Sequence, residues 1–315
     1  MKVEGLKPPL IAIIGPTAVG KTELSLQLAE RFNGEIISSD SRLFYRGMNI
    51  GTAKPSTEEM ARVPHHLIDV ADPHETWSLA IFQKEAQGAI SEIRERGKLP
   101  FLVGGTGQYL RAVTEGWLPP EVRGDEQLRA ELEKMKEENG AVWLHAKLSI
   151  LDSQAAAKID YRNVRRTIRA LEVILTTGKK FSSQRKSGPA PYNLLTIGLK
   201  RPRPELYERV DLRIEAMFAD GLLDEVQGLL DAGYAPELPS MSAISYRECV
   251  AVLNEEMTQD EAITQIKRIT RVFVRRQANW FKDDDPRIHW FEAGDVDSVI
   301  HIEKLIRNWM IKAEF

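Results

Sequence analysis

The chain has 315 residues, 43% hydrophobic and 28% charged, with a net charge of −3 at pH 7. That length points to about two domains with ample core, and that charge excludes a global positive field as the mark of a nucleic-acid partner, leaving local clusters to carry one. The single cysteine, Cys249, excludes an internal disulfide and a cysteine-built metal site and fits a reducing cytoplasm. The opening MKVEGLKPPL has no apolar stretch of the signal-peptide kind, and no run approaches the roughly 20 apolar residues of a membrane helix. A soluble cytoplasmic protein without a membrane partner is expected.

In chain order, LIAII (residues 10–14) reads as a short buried strand. Residues 23–32 follow as a helix with Leu24, Leu28 and Phe32 on one face. GEIISSD (34–40) reads as a second strand ending in a carboxylate, and HHLIDV (65–70) as a third. Residues 78–96 form a helix with Phe82, Ala86, Ala89 and Ile93 inward. KLPFLVGGTG (98–107) is a buried strand running into a glycine turn, and QYLRAV opens another helix. Strands alternating with helices imply an α/β fold with a parallel sheet flanked by helices. EGWLPPEVRGD (115–125) marks a boundary, 126–178 is helical throughout, FSSQRKSGPAPYN (181–193) is linker-like, and LLTIGL (194–199) is a strand again. Residues 204–232 and 258–282 are further helices. The division expected is a P-loop NTPase-like core of 1–120 and 199–315, carrying C-terminal helices, with an all-helical insertion domain at 121–198.

Gly15, Pro16, Thr17, Ala18, Val19, Gly20, Lys21 and Thr22 fit G-x-x-x-x-G-K-[ST] at every fixed position, between a strand and a helix. Backbone N–H groups and the helix N-terminus hold phosphate oxygens there, Lys21 adds charge and the Thr22 hydroxyl can hold Mg²⁺. Asp40 falls at a strand C-terminal end, where open α/β sheets face their ligands. It could hold Mg²⁺ through water, act as a general base, or cap the turn at Ser41-Arg42. At the end of the 98–107 strand, where nucleotide hydrolases place a Mg²⁺-holding Asp, stand Gly-Gly-Thr-Gly and the neutral hydroxyl of Thr106. Glycines there permit close approach to a ligand, and Asp40 or Asp69 could take the Mg²⁺ role. Arg209 and Arg213, at i and i+4, suit a diphosphate, against which stands a plain Glu205–Arg209 ion pair. Lys54, in the loop GMNIGTAKP, could meet an anion. The adjacent His65 and His66 lack metal-ligand spacing.

Two stretches are basic. Lys158, Arg162, Arg165, Arg166, Arg169, Lys179, Lys180, Arg185 and Lys186 face only Asp160 and Glu172. Between 262 and 282, Lys267, Arg268, Arg271, Arg275, Arg276 and Lys282 meet no acid. Lys267, Arg271 and Arg275 form an i, i+4, i+8 stripe opposite a core stripe of Ile266, Ile269, Phe273 and Trp280. Each face is either solubility or a nucleic-acid surface.

Read in order, GPTAVGKT, IISSDSRLFYRGMNIGTAKP, VPHHLIDV, LVGGTGQYL, RRTIRALEV with TGK, LYERVDLRIEAMFADGLLDEV and TRVFVRRQANWF resemble the tRNA dimethylallyltransferases (tRNA isopentenyltransferases) across residues 11 to 281. The resemblance implies transfer of a dimethylallyl group from its diphosphate to N6 of the adenosine 3′ of the anticodon. The 15–22 loop, Arg209 and Arg213 would then hold the leaving diphosphate with Mg²⁺ on Thr22. Asp40 would accept the proton of the amine, and Thr106 would bond within the reaction channel. Asp40, Ser41, Arg42, Leu43 and Thr106, with Arg165, Arg166, Thr167, Ile168 and Arg169, match segments that touch tRNA. The helical insertion and basic surfaces would hold the anticodon arm. DYRNVRR (160–166) departs from the family's usual His-Pro-Asn-Asp before the arginines, and Ser245 stands where glycine is usual before Tyr246. The chain ends soon after Trp290, without the zinc-finger extension of eukaryotic relatives, which implies a bacterial-type enzyme, and a monomer is expected. An adenylate isopentenyltransferase, a P-loop small-molecule kinase and an RNA-binding protein with a vestigial loop are the alternatives.

Overall fold

In this computed structural model the described residues are 7–118, 124–184 and 186–312. Residues 1–6, the part of the expected boundary at 119–123, and Arg185 of the basic run lie outside them. The chain divides into two compact units, Met1–Thr114 with Ala190–Phe315, and Glu115–Pro189.

The first unit opens with β1 (Pro9–Ile14), α1 (Lys21–Arg31), β2 (Gly34–Ser38), α2 (Thr57–Arg62), β3 (His65–His66), α3 (Leu79–Glu95), β4 (Leu99–Gly104) and α4 (Gly107–Thr114). The second holds β5 (Trp117–Leu118), α5 (Glu126–Asn139), α6 (Ala141–Leu151), α7 (Ser153–Lys158), α8 (Val164–Thr177), α9 (Phe181–Gln184) and β6 (Lys186–Ser187). Returning to the first unit, β7 (Asn193–Lys200) leads to α10 (Arg203–Ala219), α11 (Leu222–Asp231), α12 (Tyr246–Leu253), α13 (Gln259–Gln277), β8 (Ile288–Glu292) and α14 (Val296–Lys312).

Six strands form one sheet in the order β3-β2-β4-β1-β7-β8, every neighbour parallel. Alternate residues of β1 show why its sequence is apolar throughout. Leu10, Ala12 and Ile14 join one core cluster, and Ile11 and Ile13 join the other. Both faces are covered by helices, as a parallel sheet requires. The expected insertion of 121–198 becomes Glu115–Pro189, because NLLTIGLK pairs with β1 from Pro9↔Asn193 to Ile14↔Gly198 and so belongs to the sheet. The helical unit has its own core around Leu132, Leu144, Leu148, Ile168 and Leu171. HHLIDV is a strand only at His65 and His66; Leu67 (φ 61) and Asp69 (φ 54) turn the chain out of extended geometry. Among the described residues no helix is long and apolar enough to cross a membrane.

Ser245 precedes α12 with φ 86 and ψ −45, a backbone region that favours glycine, and its N–H donates to the Glu248 carboxylate at 3.0 Å. The departure from glycine noted in the sequence therefore carries strain. Ser245→Gly is expected to stabilise the protein by about 1 kcal/mol, the relief of strain exceeding the added chain entropy of the unfolded state. Urea unfolding monitored by circular dichroism reads this as a higher midpoint at unchanged slope.

Candidate active site

The parallel order sets three strand ends side by side. Ile14 is the register partner of Gly104, and Ser38 that of Val103. From this edge β1 runs into the 15–22 loop, β2 into Ser39-Asp40, and β4 into Gly105-Thr106. Gly15 is fixed by close approach, since a Cβ there would stand 2.7 Å from the Leu199 carbonyl. Gly20, at φ 111, turns the loop into α1 without any side-chain cap, so the first N–H groups of α1 remain open to an anion.

Lys21 curls back onto the loop, donating to the carbonyls of Gly15 at 3.0 Å and Pro16 at 2.8 Å. Burial of its ammonium lowers its pKa to about 8; the Asp40 carboxylate opposes the shift and the Arg213 guanidinium adds to it. Arg209 donates Nε to the Ala18 carbonyl at 2.8 Å. Arg213 has no ion-pair or hydrogen-bond partner among the described residues. Protein crowding its guanidinium, together with the like charge of Arg209, pushes its pKa down. Lys21 and Arg209 thus bond the loop directly, and Arg213 lies near enough for its charge to act on both. The alternative Glu205–Arg209 pair does not form, because Glu205 binds Arg201.

Asp40 lies two residues beyond β2. Its Oδ1 accepts the Arg42 N–H at 3.0 Å, so the turn-capping reading holds for one oxygen. Oδ2 accepts no hydrogen bond among the described residues. Thr106 caps α4 with its carbonyl, which receives Tyr109 N–H at 3.0 Å and Leu110 N–H at 3.1 Å, and its hydroxyl has no partner among the described residues. The neighbouring glycines answer to protein rather than to ligand. A Cβ on Gly104 would meet Ser39 Oγ at 2.2 Å, on Gly105 the Gln277 amide at 2.5 Å, and on Gly107 the Trp280 side chain at 2.4 Å.

The IPP transferase family model matches residues 43–284. The chain belongs to this family. The tRNA dimethylallyltransferase of Roseiflexus sp. (strain RS-1) is 53% identical over 302 residues, covering 96% of this chain and 99% of the relative. The full-length tRNA isopentenylpyrophosphate transferase of Bacillus halodurans has a solved structure that aligns with a TM-score of 0.73 at 45% identity, over 98% of each chain. A eukaryotic dimethylallyltransferase acting on tRNA aligns with a TM-score of 0.82 at 28% identity, over 97% of this chain and 80% of its own. These P-loop NTPase-like relatives match the six-stranded parallel sheet.

Other expected residues fall differently within the family's frame. In the helical unit Arg165 and Arg166 are exposed at the start of α8, whose cap Asn163 accepts the Arg166 N–H at 3.2 Å. Thr167 and Ile168 were expected on the same surface but are buried, so their side chains serve the core. Arg169 is tied to the buried carboxylate of Glu172 at 2.6 Å. Arg42 donates to the carbonyls of Pro239 at 3.1 Å and Ser240 at 3.4 Å. Lys54 is not free for an anion, nor Asp69 for a metal: they pair with each other at 2.5 Å. The basic stripe of α13 is largely spent on α10. Lys267 pairs with Glu215 at 2.5 Å, Arg271 with Asp211, and Arg275 donates to the Tyr207 hydroxyl at 3.3 Å. That packing turns the helix so that Ala262, Ile266, Val274 and Gln277 face inward, while Phe273, expected in the core, is exposed.

Lys21 supplies a pH test. Its ammonium carries charge below its pKa of about 8 and loses it above. Affinity for inorganic diphosphate is expected to fall above pH 8, and binding there should take up protons, because the anion favours the charged form. Calorimetry in buffers of different ionisation enthalpy measures both effects, and Lys21→Met should flatten that limb.

Proposed function

We propose that this protein transfers a dimethylallyl group from dimethylallyl diphosphate to the exocyclic N6 of the adenosine 3′ of the anticodon in tRNA, releasing diphosphate. The observation that carries this reading is the set of three cations, Lys21, Arg209 and Arg213, at the loop of residues 15–22, with the Asp40 carboxylate near enough to act on Lys21 and one of its oxygens open. The N6 lone pair is delocalised into the adenine ring, so the amine is a poor nucleophile. As N6 bonds the allylic carbon, the carbon–oxygen bond to diphosphate breaks, negative charge collects on the leaving group and positive charge on nitrogen. The cations stabilise the first. Asp40 Oδ2 stabilises the second and takes the N6 proton.

Mg²⁺ fits the donor set. The exposed Thr22 hydroxyl, without a protein partner among the described residues, is a hard oxygen of the kind this ion takes beside phosphate oxygens. When bound, it supplies neutralisation of diphosphate charge. On the helical unit, Arg165 and Arg166 stand at the N-terminus of α8, whose first turn has no acid. Helix dipole and guanidinium charge therefore add toward an RNA phosphate. The base leaves its stack to reach the donor, and the Thr106 hydroxyl, without a partner among the described residues, bonds it. We place the enzyme in the cytoplasm as a monomer.

Incubation with unmodified tRNA, dimethylallyl diphosphate and Mg²⁺, followed by nucleoside mass analysis, is expected to show one added isoprene unit on adenosine. The gain should be absent with AMP as acceptor and with ATP as donor. Asp40→Ala is expected to lower turnover by roughly 10²- to 10⁴-fold, the range for a lost general base, while diphosphate affinity stays within a few-fold. Transfer at the wild-type rate would remove Asp40 from the chemistry.

A further inference from the structure

Gln277 occupies the last turn of α13 and is 6% exposed. Its amide spans two of the three loops of the site. Oε1 accepts the Thr17 N–H of the phosphate loop at 2.8 Å, and Nε2 donates to the Gly105 carbonyl, beside Thr106, at 3.4 Å. A Cβ on residue 105 would stand 2.5 Å from Nε2 and 3.0 Å from the Gly15 carbonyl, so the amide in this position depends on glycine there. The end of α13 is anchored as well: Trp280 fills the space over Gly107, and its carbonyl accepts Arg111 at 2.7 Å.

We infer that Gln277 is a positioning residue that fixes the distance between the phosphate loop and the Thr106 loop, so that donor diphosphate and acceptor base are presented in one geometry. The inference rests on the prenyl-transfer reading above. A neutral amide meets a requirement that other side chains do not. It offers an acceptor to one loop and a donor to the other and puts no charge beside a site built for an anion. A carboxylate would leave the Gly105 carbonyl without its donor and repel diphosphate; a hydrocarbon would leave both backbone groups unmet. The bond also assigns the loop's N–H groups. Thr17 N–H, expected among the diphosphate contacts, is committed to Gln277, so the anion is held by the N–H groups beyond it toward α1. Through the α10–α13 pairs, the same helix that carries Gln277 also sets the rotation of the helix carrying Arg209 and Arg213.

The test uses full-length Gln277→Leu and Gln277→Glu. Readouts are diphosphate affinity by calorimetry, kcat and KM for dimethylallyl diphosphate and for tRNA, and Tm. Gln277→Leu is expected to lower kcat/KM for the donor roughly 10- to 100-fold, the range for two buried backbone groups left unpaired, with KM for tRNA unchanged. A protonated glutamic acid has both the acceptor and the donor of the amide. The Glu variant's activity relative to wild type should therefore climb several-fold from pH 8 to pH 6, while the ratio for the Leu variant stays flat. Dividing by wild type at each pH removes the titration of Lys21, which all three proteins share. The inference is overturned if the Leu variant keeps donor kcat/KM within twofold of wild type, or if the Glu ratio is as flat as the Leu ratio. A wild-type chain that neither binds diphosphate nor modifies tRNA overturns the parent reading instead.

Discussion

Lys21, Arg209 and Arg213 repel one another, and much of the first unit is arranged to keep them together. The loop itself supplies the compensation. The carbonyls of Gly15 and Pro16 turn toward Lys21 and that of Ala18 toward Arg209. Each peptide that turns its carbonyl to a cation is constrained in where its neighbours' N–H groups lie, and Ala18, at φ 65, sits in a left-handed conformation inside this arrangement. An anion entering the site relieves the repulsion directly. In the proposed reaction that relief would direct binding energy to the diphosphate, the part of the donor whose charge rises as the carbon–oxygen bond breaks.

Helix α10 makes that arrangement possible by dividing its 3.6-residue period among three tasks. Leu206, Val210 and Ile214 are buried. Arg209 bonds the loop and Arg213 lies near enough to act on Lys21, while Tyr207, Asp211 and Glu215 meet Arg275, Arg271 and Lys267 of α13. Each contact between the two helices is individually weak, as partly exposed ion pairs are. Three in one register nonetheless fix rotation, and a helix rotated by one residue would carry its two arginines some 100° away from the loop.

Local patterns made the fold legible. GPTAVGKT between an apolar run and an amphipathic one announced β1 and α1, and the strand-helix alternation announced the parallel sheet. Elements with weak periodicity were less visible. β8, IHWFE, has no alternation strong enough to mark a strand and forms by pairing with β7 at the sheet edge. The short α12 begins only after the strained Ser245. Site residues divide similarly. Lys21, Asp40, Arg209 and Arg213 stand out as candidates because the loop motif, the strand end and the i, i+4 spacing each have a local signature. The fate of the α13 stripe was not legible, since its partners lie 52 to 68 residues away on another helix. Gln277 was invisible for the same reason: its partner Thr17 is 260 positions distant, and the only hint, a run of glycines at 104, 105 and 107, reads equally well as room for a ligand.

Those glycines bear on how the proposed chemistry departs from phosphoryl transfer on a related scaffold. At the end of β4, where a hydrolase would place a metal-holding carboxylate, the backbone is stripped of side chains to admit Ser39, Gln277 and Trp280. The space is filled with neutral groups. Phosphoryl transfer gathers charge on the transferred group itself and needs acids to organise metal around it. Prenyl transfer divides charge, negative on the leaving diphosphate and positive on the carbon and the attacking nitrogen. A site for it must therefore be electrically lopsided: cations on the side of the loop, one carboxylate across from them, and uncharged hydrogen-bonding groups between. In the proposed reaction Lys21, Arg209 and Arg213 would supply the cations and Asp40 the carboxylate, with the neutral Gln277 amide and Thr106 hydroxyl completing the site.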